Sequence, residues 1–157
     1  MISRDIHDQR ALLLIDRGSD DHLELGQAVM TEQGLFVGKI SVLKKQVSTV
    51  ELLSDPHSRI AAALSEKSRL SGVIEGRGNG AAVLTFIPSS QPVKRDQIVM
   101  TAGTDDKIPA HLPLGIINAV EGKPTDPFFS ATIEPLVHAD QITFVSVLRP
   151  SALTPEL

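Results

Sequence analysis

Residues 22–43 read HLELGQAVMTEQGLFVGKISVL, and residues 94–120 read KRDQIVMTAGTDDKIPAHLPLGIINAV. Gln27-Ala28-Val29-Met30-Thr31 in the first stretch returns as Gln97-Ile98-Val99-Met100-Thr101 in the second. The likeness continues outward in the same order. Upstream, Leu12-Leu13-Leu14-Ile15 parallels Val83-Leu84-Thr85-Phe86-Ile87; downstream, Gly38-Lys39-Ile40 parallels Gly115-Ile116-Ile117, and Thr49-Val50-Glu51-Leu52-Leu53 parallels Thr132-Ile133-Glu134-Pro135-Leu136. Four parallels in one order mark a duplicated unit, and a duplication constrains the fold before any local propensity does. The copies differ in their connections: six residues separate Thr31 from Gly38, and thirteen separate Thr101 from Gly115.

Each copy has the signature of β-structure. Ile40 and Val42 alternate with Lys39 and Ser41, as one half-buried strand requires, and QITFVSVL at 141–148 is rich in apolar and β-branched residues. In EGRGNGAAVL, residues 75–84, Gly76, Gly78, Asn79 and Gly80 lie between Val73-Ile74 and Val83-Leu84, which is the chemistry of a tight hairpin. A phosphate-cradling loop is the weaker reading, because no helical pattern follows it to offer an N-terminus to an anion. Gly26, Gly34, Gly38, Gly78, Gly80, Gly103 and Gly115 are expected at turns.

One stretch conflicts with this pattern. SDPHSRIAAALSEKSRL, residues 54–70, looks locally helical, with Asp55 able to cap and Pro56 suited to a first turn. The repeat, however, sets Arg59–Leu64 against the strand-like Phe144–Leu148. It therefore predicts a turn at 55–58 and a strand at 59–64, with context overriding propensity. The expected architecture is all-β: two small tandem antiparallel β-barrels related by the internal repeat. The first spans 10–72 and the second 80–150, together one domain with strands free to cross between units, and 1–9 and 151–157 are termini.

The chain has 157 residues, 41% apolar, with no Cys, Trp or Tyr and a net charge of −4. It is long enough to bury a real core, and no apolar run approaches the ~20 residues of a membrane-spanning helix. The charged N-terminal MISRDIHDQR lacks the apolar centre of a signal peptide. Without cysteine there are no disulfides, thiolate metal sites or Cys nucleophiles. The basic stripe and stacking aromatics of a nucleic-acid binder are missing.

His7, His22, His57, His111 and His138 show no metal-pair spacing, so no metal or cofactor is expected. Paired barrels raise the possibility of a chymotrypsin-like serine hydrolase, with His22 or His57, Asp55 and one of Ser89, Ser90 or Ser130 as a nominal triad. The flanks argue against it: IPSSQPV has no glycines for an oxyanion hole, and Ser130 follows Phe128-Phe129. What remains is surface. GTDDKIPAHLP at 103–113 carries Ile108 and Leu112, and KPTDPFF at 123–129 carries Phe128 and Phe129. In a strand only one of two neighbours faces the core, so one phenylalanine is expected outside or under a partner. Ile108, Leu112, Phe128 and Phe129 are the predicted partner-binding residues; the alternative is that they plug the barrel ends.

IDRGSDDHLELGQAVMTEQGLFVGKISVL, at 15–43, resembles the rod shape-determining MreC family at Ile15, Gly18, Leu25, Gly26, Val29, Gly34, Leu35, Val37, Gly38 and Ile40. The family's L-L-T-D-P-x-S-R is similar to Leu52–Arg59, and its second glycine-rich motif to Asp96–Gly115 through Val99, Thr101, Gly103, Pro109, Pro113 and Gly115. Two positions depart, Arg95 and His111, where the family motif has glycine. The resemblance implies a non-enzymatic scaffold of peptidoglycan elongation with paired β-barrels, one distantly protease-like. It would act on the periplasmic side, contact the elongation penicillin-binding protein, MreD and the actin-like MreB, and self-associate. Family members also have a membrane anchor and a coiled coil, so this sequence is expected to be an excised domain or an anchorless paralogue. A protein-binding module of an unrelated pathway is a further alternative.

Overall fold

In the computed structural model, residues 10–64, 72–90 and 93–148 are described in full, together with the backbone of 3–5. The expected termini, 1–9 and 151–157, otherwise lie outside the described residues. Strands run in the order β1 (Ser3–Asp5), β2 (Leu12–Ile15), β3 (Ala28–Met30), β4 (Phe36–Leu43), β5 (Ser48–Leu52) and β6 (Arg59–Leu64), then β7 (Gly72–Gly78), β8 (Ala81–Pro88), β9 (Ile98–Thr101), β10 (Pro113–Glu121), β11 (Phe128–Pro135) and β12 (Ser146–Val147). The described helical residues are two single 3-10 turns, Ser19–Asp21 and Ala139–Gln141.

The repeat is legible bond by bond. Val29 pairs with Gly38 as Val99 pairs with Gly115, and in both hairpins the register slips at the next step, where Met30 meets Phe36 and Met100 meets Pro113. A second bulge recurs where Ile40 faces Val50 and Ile117 faces Ile133. The turn before each hairpin is closed by one device: Gln27 Oε1 accepts the Glu24 N–H at 3.0 Å, and Gln97 Oε1 accepts that of Lys94 at 2.7 Å. Thr31 Oγ1 accepts the Leu35 N–H at 3.2 Å, and Thr101 Oγ1 that of Leu112 at 3.0 Å.

Left-handed positions also correspond. Gly26 (φ 87°) is matched by Asp96 (φ 72°), and Gly34 (φ 88°) by His111 (φ 73°). The departure from the glycine motif read at Arg95 therefore falls one residue later. Asp and His are among the side chains that enter this region most readily, so both loops keep their backbone shape without glycine.

The two sheets share one strand order but not one outcome. The first runs β1-β2-β5-β4-β3-β12 and stays open; the second runs β7-β8-β11-β10-β9-β6 and closes, because β6 pairs with both β9 and β7. Pairing crosses the expected boundaries, 10–72 and 80–150, in the way that strands free to pass between units allow. β6, the last strand of copy one, belongs to the barrel, and β12, the last strand of copy two, returns to pair with β3 of the first sheet. The copies exchange their final strands, which contiguous domain limits cannot express. The predicted turn at 55–58 and strand at 59–64 are present. The strand-like 141–148 contracts to β12, with only Ser146 and Val147 paired.

Gly38 and Gly115 are not at turns. Both lie inside strands, where an added Cβ would meet the neighbouring backbone at Glu51 O and, 2.6 Å away, at Glu134 O. The bulges bring the strands too close for a side chain. The Asn79-Gly80 hairpin is as expected, with both residues at positive φ, the type I′ geometry.

Two cores result. Ile74, Leu84, Ile87, Leu114, Ile117 and Ile133 fill the barrel, joined by Ala28, Phe36 and Leu53 from the first unit. Leu13, Val29, Ile40 and Val50 centre the second cluster under the open sheet. Each full burial contributes about 1.5–3 kcal/mol. Asp55 ties the junction. It is 0% exposed, and its Oδ1 accepts from Arg10 Nε at 2.9 Å and Ala11 N–H at 2.7 Å, while Oδ2 accepts the His57 N–H at 2.9 Å. Burial pushes this carboxyl up, but the hydrogen bonds and the guanidinium charge outweigh burial and hold it below the ordinary range.

Candidate partner-binding surface

The four predicted contact residues separate into different roles. Ile108 is 4% exposed and belongs to the barrel core. Leu112 and Phe129 are half-buried and pack against that core. Phe128 stands outside, 52% exposed, next to the inward Phe129 as strand alternation demands.

The longer connection of copy two is not a free loop. Lys107 donates through Nζ to Leu25 O at 2.8 Å and accepts the Ala28 N–H on its carbonyl at 3.2 Å. Thr101 Oγ1 donates to Pro109 O at 2.6 Å and pins the far side. The extra residues clasp the first unit and deliver Ile108 into the core. Sequence length showed the insertion but not that its target lies within the same chain.

Phe128 has a partner that the sequence reading missed. β8 bulges opposite β11: Phe129 faces Ile87 and Ala131 faces Leu84, so Thr85 and Phe86 together oppose Ser130. The bulge turns Phe86 outward, 57% exposed, with φ 61°. A phenylalanine in the left-handed region is an outlier, costing about 1–2 kcal/mol. Its ring meets Phe128 edge to face, with centroids 6.0 Å apart and planes at 83°. The adjacent apolar pair Phe86-Ile87 was an available signal of the same kind as Phe128-Phe129. The result is an aromatic ledge on the barrel wall, able to offer apolar area and ring edges to another protein.

Of the residues nominated for a hydrolase, Asp55 has its carboxylate engaged elsewhere. The Asp55 carboxylate is taken by Arg10 and by two backbone N–H groups, one of them from His57, whose side chain lies at an exposed position. Ser89 donates its backbone N–H to Pro127 O at 3.0 Å in an exposed turn. Among the described residues, no group of three or more acidic or His side chains is placed to hold a metal.

The family described as rod shape-determining protein MreC, barrel core, matches residues 1–149. The chain belongs to the MreC family. The cell shape-determining protein MreC of Listeria monocytogenes is 32% identical over 156 residues, covering 97% of this chain and 52% of that relative. The chain thus spans about half the length of that MreC. A solved MreC structure from the same species superposes with a TM-score of 0.82 at 29% identity, covering 95% of this chain and 72% of the other. MreC of Helicobacter pylori, solved in complex with the penicillin-binding protein PBP2, superposes with a TM-score of 0.73 at 17% identity, covering 91% and 88%. The double-barrel expectation is met at the level of fold, with one closed barrel and one open, curled sheet in this chain.

Proposed function

We propose that this chain is a non-catalytic scaffold of the wall-elongation machinery, whose aromatic ledge docks the elongation penicillin-binding protein. The observation that carries this reading is the Phe86–Phe128 pair, exposed edge to face on a bulge that holds Phe86 in a strained conformation. A side chain kept outside against both backbone strain and hydration fits a contact made elsewhere. The Helicobacter relative bound to PBP2 supports a penicillin-binding protein as the partner class. In the whole protein the domain would work on the periplasmic side of an anchoring membrane segment, alongside MreD, MreB and further copies of itself.

The test is direct binding between the purified chain and the extracytoplasmic part of the elongation transpeptidase from the same organism. Phe128→Ala removes one ring of the ledge without touching the strained backbone at Phe86, and an interface anchor of this size contributes about 2 kcal/mol or more. Affinity should fall by about thirtyfold or more with the melting temperature within a few degrees of the parent. Unchanged affinity would remove the ledge from the interface, and labelling by a fluorophosphonate probe would defeat the non-catalytic reading.

A further inference from the structure

The duplication leaves an asymmetric cleft of about 360 Å³ where the two units meet. Equivalent positions of both copies line it: Arg10-Ala11-Leu12 of copy one and Asn79-Gly80 of copy two, Leu52 of one and Pro135 of the other. In copy one this corner is closed. Leu52 N–H donates to Ala11 O at 3.0 Å, and Asp55 gathers Arg10 and Ala11. In copy two Pro135 has no N–H to give, His138 stands where the count from Thr132 places the partner of Asp55, and Gly80 replaces Ala11. Copy two therefore lacks the bond that closes this corner in copy one, and Gly80 leaves the room that a side chain takes at Ala11.

The floor is apolar, with Phe36, Val37, Leu52 and Leu53 almost fully buried. The mouth carries Arg10, His138 and Asp140. Arg10, the single described Lys or Arg that lines it, is committed to Asp55 at 2.9 Å and reaches Glu51 at 3.8 Å. Asp140 has no ion pair among the described residues. The cleft therefore combines an apolar floor with one carboxylate, Asp140, left without an ion pair at its mouth, while the Arg10 charge is balanced by Asp55. Its volume falls at the small end of ligand sites, and its few polar groups converge at one side.

We propose that this cleft binds a segment of another protein that inserts a large apolar side chain flanked by lysine or arginine. It is a second site, independent of the aromatic ledge. Phe86 and Phe128 sit at one end of the β8–β11 pair and Gly80 and Pro135 at the other, about 20 Å away at the rise of a strand. One transpeptidase variant therefore cannot test both.

The experiment uses methyl-labelled full chain and two blocked tetrapeptides, Lys-Leu-Phe-Lys and Glu-Leu-Phe-Glu. The basic peptide should shift the methyl signals of Leu53, Val137 and Ile142, with a Kd at least tenfold tighter than the acidic one. Asp140→Asn should shrink that preference. Ala139→Trp, placed to fill the cleft from its 3-10 turn, should abolish the shifts; Val137→Phe serves the same end if the first variant does not fold. The proposal is overturned if neither peptide shifts these methyls, if both bind equally, or if the shifts survive in a folded, filled variant.

Discussion

Replacing Phe86 by glycine separates a functional ring from a structural one. The backbone at this position has φ 61°, so glycine relieves about 1–2 kcal/mol of left-handed strain. Against that stand the lost edge-to-face contact with Phe128, about 0.5–1.5 kcal/mol, and the extra chain entropy of glycine, about 0.5–1 kcal/mol. These terms nearly cancel. Since the ring is 57% exposed, little burial is forfeited. The melting temperature of Phe86→Gly should therefore stay within about 4 °C of the parent, given about 2–4 °C per kcal/mol for a chain of this size. A ring that plugged the core would instead cost about 3–5 kcal/mol on truncation, roughly 6–20 °C.

Phe86→Ala makes the comparison internal, because it removes the ring but keeps the strained conformation. Glycine should melt higher than alanine. Both should bind the transpeptidase more weakly, by about thirtyfold if the ring contributes about 2 kcal/mol to the interface. Differential scanning fluorimetry and biolayer interferometry on the three proteins would decide. A Phe86→Gly protein that melts more than about 10 °C low, or that binds like the parent, would refute the reasoning: the first would make the ring structural, the second irrelevant.

Three further outcomes follow from the fold. Ile108→Asp should unfold the chain or lower its melt by more than about 10 °C, because it buries a charge in the barrel core, whereas the same change in a binding loop would leave the melt unmoved. Gly76→Ala should cost several times more than Gly34→Ala in denaturant titrations: a Cβ at Gly76 runs into the Asp55 carbonyl, while Gly34, at φ 88°, faces open space and loses only about 1 kcal/mol of backbone preference. Asp55, whose folded carboxyl titrates below the unfolded value near ~3.9, contributes stability that is present above that value and lost as pH falls through the lower folded one. Asp55→Asn should lower stability at pH 7 and flatten the loss of stability below about pH 4, as read by chemical denaturation across pH.

The duplication was legible because its marks are chemical and local: a glutamine that closes a turn on its own chain, a threonine that caps a hairpin, a glycine where strands touch. Gln27 with Gln97, Thr31 with Thr101 and Gly38 with Gly115 all occupy equivalent places. Register in β2 was not legible. Pairing with β5 and β11 sets Leu13 beside Ala82 rather than near Val83-Leu84, a slip that keeps the same face inward and so leaves the apolar pattern unchanged. The different burial of the two contact loops was not legible for a related reason. Ile108 and Phe128 look alike in sequence, apolar residues in proline-flanked connections, and only the Lys107 clasp sends the first inward.

The exchange of final strands bears on what such a chain can do. β6 contributes one edge to β7 and the other to β9, so the last strand of copy one closes the barrel built by copy two. β12 makes the reciprocal return but pairs on one side, through two residues, and the first sheet stays open. Sliding the units apart would break both exchanged pairings and pull Phe36 and Leu53 out of the barrel core. That is a cost far above thermal energy, so the units present their surfaces at a fixed relative geometry. The two halves of the exchange differ in strength, however. β6 is anchored by the Asp55 turn, whereas β12 hangs from the 136–145 connection, which lines the junction cleft on one face and a second hollow of about 260 Å³ on the other. This connection packs Val137, Ala139, Ile142 and Val145 against the first-sheet cluster but has no strand pairing along 137–145, so hydrogen exchange should be faster there than in the β7–β8–β11 wall. A rigid platform with one loosely held arm beside an apolar cleft is the arrangement through which a scaffold can hold one partner on the wall and admit a second at the junction.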